Sequence, residues 1–317
     1  MQNKRILDPA FEKAVALQTD VFESAVWTHW LKATTIANSA LSDSLKESGF
    51  DSEYVNQSIQ MLLKSSTEDL IEAQLAEERL ETPYWAALML RCSGSDLHLF
   101  TELCLSEFEK ERELGVALLL GDVCERFSDQ CLSTVLKMLP GERSDSVIIQ
   151  IAYALRKFNF QNRAMYLKSY INSPSVALRE AIAFSLAKLD EELSSELLIE
   201  LASDDALSVR RWAVFGLAHN NSDSRSVRQA LVSALEEDDK SIVQDAVFGL
   251  AHRQDAIAVG LIARQLESGE ITLPILEAIF EFPQPIFAEL LNNLKSEVLD
   301  EHKPLVEQAI DYCNSGV

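Results

Sequence analysis

Apolar residues recur along most of this chain at the three- and four-residue spacing of an amphipathic helix. In SVRQALVSALEED (226–238), Val227, Ala230, Leu231, Ala234 and Leu235 form one apolar stripe with a wet opposite face. A second kind of segment is different. VRRWAVFGLA (209–218) carries only two charges, both arginine, and a helix apolar around most of its circumference must be covered on several sides. Aromatic and β-branched residues dominate no segment in period-two alternation. With 10 Gly and 8 Pro in 317 residues, the pattern predicts an all-helical protein.

The two kinds of helix alternate, and the second kind repeats. AVFGLAH is written at 213–219 and again at 246–252, 33 residues later. Leu178–Ala187 aligns with Val209–Ala218 at an offset of 31, and Val147–Arg156 lies a further 31 upstream. Glu277–Phe282 matches Asp245–Leu250 at an offset of 32, with weaker copies at Arg112–Gly121 and Tyr84–Cys92. Such a period with helical content predicts stacked helix pairs. Tyr153, Phe184, Phe215, Phe248 and Phe280 fall at equivalent places and are expected to be buried. Each ring would remove roughly 150–250 Å² from water, on the order of 4–6 kcal/mol gross. Beside two of the rings stand Gly216 and Gly249, each costing about 1 kcal/mol against Ala in a helix. Repeating that cost, with Ser185 and Ala154 at matching places, predicts close helix approach. Asp204–Asp205 and Asp238–Asp239 precede these helices, where carboxylates cap free N–H groups.

The pattern D-D-x-x-x-V-R-x-x-A-x-x-G-L-A resembles the HEAT repeat, in the short bacterial form first described in phycobilisome lyases. The resemblance covers 174–253 and extends more weakly from Thr82 to the C-terminus; the copy beginning at Ile242 departs from it, with Val243 and Gln244 where Arg210 and Arg211 stand. It implies an all-α, right-handed α-α superhelix whose second helices line a concave surface. On this reading 1–80 is a helical N-terminal cap, 81–299 the repeat array and 300–317 a C-terminal capping helix.

Charge narrows the function classes. Lys and Arg number 28 against 50 Asp and Glu, a formal net charge of −22, which repels phosphate backbones and anionic headgroups. Neither a nucleic-acid nor a membrane partner is expected. Between Leu189 and Val209 stand seven acids and no Lys or Arg, a solvated helix face that also suits a basic partner. Cys92, Cys104, Cys124, Cys131 and Cys313 have no metal or disulfide spacing and read as buried thiols of a reduced, cytoplasmic protein. The N-terminus lacks the apolar core of a signal peptide, and VALLL (116–120) is far too short to span a bilayer.

Catalytic signatures are missing from the sequence: there is no Gly-rich phosphate loop, nucleophile elbow or H-E-x-x-H. His219 and His252 occupy equivalent positions, yet a shared metal needs both nitrogens within about 2.1 Å. Stacked helices hold equivalent atoms roughly 8–10 Å apart, so both imidazoles are expected to serve helix C-termini. Iron-dependent HEAT-repeat hydroxylases carry His-Glu dipeptides; here Asn220 follows His219 and Arg253 follows His252, and that activity is not implied. HEAT-like DNA glycosylases need a basic groove, for which Arg179, Arg210 and Arg211 are the candidates; the competing reading has them paired within the turns, Arg210 with Asp205. No catalytic residue, metal or cofactor is predicted.

At 100° per residue, Arg210, Arg211, Val214 and Ala218 share the less apolar side of their helix, as do Arg179, Glu180, Ala183 and Ala187, and Val243, Gln244, Val247 and Ala251. The expected partner-binding residues are Arg179, Glu180, Arg210, Arg211, Val214, Gln244 and Val247, lining a low-profile concave face for a helix or peptide. The expected function is a non-enzymatic scaffold or adaptor. The alternatives are an accessory subunit of a tetrapyrrole lyase and a toxin-neutralising protein.

Overall fold

Side-chain caps mark where many helices begin. Ser66, Ser144, Ser175, Ser224, Asp239 and Asp255 each accept a hydrogen bond from a backbone N–H of the turn that follows, answering a donor that a helix start leaves open. The computed structural model describes residues 63–77, 84, 87–88, 95–120, 123–295 and 303–315. These hold fifteen α-helices and no strand. They are α1 (Thr67–Ala76), α2 (Leu97–Cys104), α3 (Glu109–Leu119), α4 (Val123–Met138), α5 (Asp145–Lys157), α6 (Arg163–Leu167), α7 (Val176–Leu186) and α8 (Glu192–Leu201), then α9 (Leu207–Ala218), α10 (Arg225–Ala234), α11 (Lys240–His252), α12 (Ala256–Glu267), α13 (Leu273–Glu281), α14 (Pro285–Leu294) and α15 (Lys303–Ser315). Most of the expected N-terminal cap, His29, Cys92 and His302 lie outside the described residues.

The chain divides into two compact units, 63–166 and 167–315 among the described residues. In the first, α3 packs on α1, α2 and α5, and α2 packs on α4. In the second, the helices form two rows. The second helices of the pairs follow one another as α7, α9, α11, α13 and α15, and among the first helices α8 packs on α10 and α12 on α14. Each repeat segment within this unit is therefore one rung of a solenoid.

Glycine sets the distance between rungs in the second row. A Cβ added at Gly216 would stand 3.0 Å from the Cα of Ala187, and one at Gly249 2.8 Å from the Cα of Ala218. The second is closer than real Cβ atoms come and the first tighter than most, and in both a backbone atom is among the nearest obstructions. The repeated glycine therefore lets α9 lie against the end of α7, and α11 against the end of α9.

Arginines stitch the two edges of the second unit. Arg179, one turn into α7, grips Asp204 through Nε (2.6 Å) and Nη2 (2.9 Å) while Nη1 donates to the Ser173 carbonyl. Arg210, at the same place in α9, grips Glu237 through Nε (2.8 Å) and Nη2 (3.0 Å), and its Nη1 donates to the carbonyls of Asp204 and Asp205. Each guanidinium thus ties the turn before its own helix to the matching turn of the next repeat. The Arg179 bond holds the Asp204 carboxyl below its ordinary value. In the first unit Arg112 makes the same fork on Glu142, with Nη1 on the Ser106 and Glu107 carbonyls. On the opposite edge, Arg228 joins Asp223 to Asp255, and Asp190 accepts from the backbone and side chain of Asn221. The sequence reading paired Arg210 with the Asp205 carboxylate. The structure corrects this: Asp205 supplies its carbonyl, and the carboxylate comes from Glu237, one repeat further on.

Two outcomes follow. Gly249→Ala should destabilise the protein by about 1–3 kcal/mol, because overpacking outweighs the gain in helix propensity. Gly260→Ala should stabilise it by up to about 1 kcal/mol, since nothing lies within 4 Å of a Cβ there. Urea unfolding of the two variants, read by helical circular dichroism, separates these signs. Arg210→Lys should cost about 1–3 kcal/mol in the same assay, since an ammonium cannot serve a carboxylate fork and two carbonyls together.

Candidate partner-binding face

Residues four apart on a helix share a side, so each second-row helix presents a short stripe. On α7 the stripe runs Glu180, Phe184 and then Lys188 just past the helix; on α9 it is Arg211, Phe215 and His219; on α11 it is Gln244, Phe248 and His252. Polar side chains thus stand at one end of the stripe, rings in the middle and basic groups at the other end.

The rings touch from helix to helix. Phe184 meets Trp212 edge-on at 4.7 Å between centroids, and Trp212 meets Phe215 edge-on at 5.6 Å. Phe215 lies 4.2 Å from His219, which stacks at 4.4 Å and 20° on Phe248, and Phe248 lies nearly parallel to His252 at 6.1 Å. The Lys188 ammonium sits 5.2 Å over the Phe215 ring, within cation–π range. Further along the row, Phe280 of α13 forms a separate pair with Tyr312 of α15 at 5.7 Å. Phe184 and Phe215 are covered, at 3% exposure each, whereas Tyr153, Phe248 and Phe280 are half-buried. The expectation that all five rings are buried therefore holds for two of them.

The imidazoles have separate duties. His219 caps the end of α9 and bonds the Phe215 carbonyl through Nδ1 at 3.0 Å; His252 ends α11 and places Nδ1 2.8 Å from a Glu281 carboxylate oxygen. Among the described residues, no three His, Cys, Asp or Glu side chains are grouped so as to hold a metal ion.

The seven residues predicted for this face separate into three groups. Arg211, Glu180 and Gln244 lie at its polar margin, Arg211 bonded to Asp239 and Gln244 3.4 Å from the Thr272 hydroxyl. Arg179 and Arg210 belong to the edge clamps. Val214 and Val247 are corrected: both are buried, at 2% and 3% exposure, as are Ala183, Ala187, Ala218 and Ala251. Small side chains on this arc meet the neighbouring rungs, and the open arc is rotated toward the rings.

Two groups were missed. Arg253, 7% exposed, lies against the end of α9 and donates to the carbonyls of Leu217, Ala218, Asn220, Ser222 and Gly249. Burial lowers its affinity for the proton, while the negative end of α9 compensates. Asp245, buried on α11, is the other. Only a single arginine just past the end of α11 and a single aspartate inside it signalled them. On the far side of the stack, a cleft of about 770 Å³ runs between α8 and α10, lined by Ser203, Asp205, Arg225, Gln229 and Ser233 among others.

Comparison with known proteins bears on the repeat. The HEAT-repeat family matches at residues 132–218 and 164–251. The YibA protein of Escherichia coli K12 is 24% identical over 232 residues, covering 71% of this chain and 82% of that protein. The X-ray structure of E. coli YibA superposes with a TM-score of 0.64 at 20% identity, covering 81% and 95% of the two chains. An engineered protein matches with a TM-score of 0.50 at 14% identity, covering 97% and 99%. At these identities the structures show the fold alone. The narrower likeness to phycobilisome lyases is not confirmed. No described helix is long and apolar enough to cross a membrane. With family matches on consecutive helix pairs and those pairs stacked in rows, residues 132–251 carry HEAT repeats and the fold is an all-α solenoid.

Proposed function

We propose that the protein is a non-enzymatic binding module that receives a protein or peptide partner along the second-row face. The observation that carries this reading is the lane of rings from Phe184 to His252, bordered by polar Glu180, Arg211 and Gln244 on one side and by Lys188 on the other. The covered rings of Phe184, Trp212 and Phe215 hold the half-buried His219, Phe248 and His252 in place, so those three add contact area at small entropic cost, and the polar margins supply orientation. The lane is shallow and continuous across several rungs, which suits a helix or an extended segment. The acidic balance of the chain favours a partner with basic surroundings.

Capture from the native host followed by mass spectrometry identifies the partner, and the test is its affinity measured with purified proteins. Arg211→Glu combined with Phe248→Ser should weaken binding at least tenfold while helical circular dichroism is retained. Gln229→Lys with Ser233→Lys, in the cleft between α8 and α10, should leave it unchanged. The opposite ranking would place the partner in the cleft and overturn this assignment.

A further inference from the structure

The second row holds a carboxyl that the edge clamps do not serve. Asp245 lies 33 residues after Trp212 and 32 before Glu277, so the three occupy equivalent positions on α9, α11 and α13. Its side chain is buried, at 7% exposure. Other carboxylates of this unit meet donors: Asp204 meets Arg179, Glu237 meets Arg210, Asp239 meets Arg211, and Asp255 meets Arg228. Among the described residues, no hydrogen-bond or ion-pair donor reaches Asp245.

Its electrostatic surroundings are negative. Glu277 approaches from α13, and Asp239 lies at the start of α11, itself held by Arg211 of α9. From α9 the equivalent position brings Trp212. Packed against the same helix, α10 buries Val227, Leu231 and Ala234, and α12 buries Ala258, Ile262 and Leu266, all apolar. Burial first, then Glu277 and Asp239, push the Asp245 carboxyl up to about 8.

We infer that the contact between α11 and α13 is proton-dependent, closed while Asp245 is neutral and loosened when Asp245 ionises beside Glu277. The sign follows from linkage. A carboxyl that binds its proton more tightly in the closed state contributes stability that is complete below its unfolded value near 4. That stability declines as pH rises and is exhausted above about 8. The contact lies in the row that carries the proposed binding face, but the inference does not depend on a partner.

Amide hydrogen exchange of the full-length protein tests it, with rates corrected for base catalysis and compared between pH 5 and 9.5. In the wild type, opening of α11 and α13 should rise by up to about tenfold per pH unit until it levels off above pH 8. Asp245→Asn should give a flat profile. Glu277→Gln should keep the dependence but bring the levelling to lower pH, because one negative neighbour is gone. Parallel profiles for wild type and Asp245→Asn would overturn the inference. If Asp245→Asn does not fold, Glu277→Gln decides alone, and levelling at the wild-type pH sinks the idea.

Discussion

The backbone contact made at Gly216 and Gly249 is the constraint from which the second unit follows. With the preceding helix end lying where a side chain would be, adjacent rungs come close enough for one arginine to span from turn to turn. The residue before each glycine is rotated by about 100° from the contact, which carries Phe215 and Phe248 to the margin of the joint. There each ring is near enough to meet a group from the neighbouring rung: Lys188 lies over Phe215, and His219 lies on Phe248. The ring lane and the stitched edges are two consequences of the same spacing.

That spacing also gives part of the acidic character a structural use. Asp204, Glu237, Asp239, Asp223 and Asp255 are each engaged by an arginine within the stack. The guanidinium is the group that fits, because its planar fork takes both carboxylate oxygens and leaves Nη1 for a carbonyl. Arg179 and Arg210, which as bare sequence suggested a basic stripe, are thereby engaged in holding the rungs in register.

Features that depend on local periodicity were legible in the sequence. The repeat register, the close approach at Gly216 and Gly249, and the capping of α11 by Asp239 all follow from residues adjacent along the chain. The position of the open face did not follow, for a physical reason. A small apolar side chain looks the same whether it leaves room for solvent or for a neighbouring helix, so Val214 and Ala218 were read as lining when they are contact. Arg210 shows a related difficulty. Asp205 is its nearest acid in sequence, but stacking brings Glu237 from 27 residues away within reach of the fork. Arg253 was harder still, because Asn220 and Leu189 stand at the equivalent places and no repetition marks it.

One repeat position explains why the rungs are not interchangeable. Ala181, Trp212, Asp245 and Glu277 occupy it in turn, a sequence no packing rule would dictate, since it passes from a methyl group to an indole to two carboxyls. On α9 the indole turns its edge to Phe184 and seals the joint with α7 by apolar contact, which is indifferent to pH. On α11 the same position holds a buried acid facing another acid, and a joint built that way responds to the proton. The glycine contacts that bring α9 onto α7 and α11 onto α9 do not involve this position, which leaves it free of a common packing duty. Differences between otherwise matching joints accumulate there, so the row is sealed by apolar contact where it carries Trp212 and holds a buried acid where it carries Asp245.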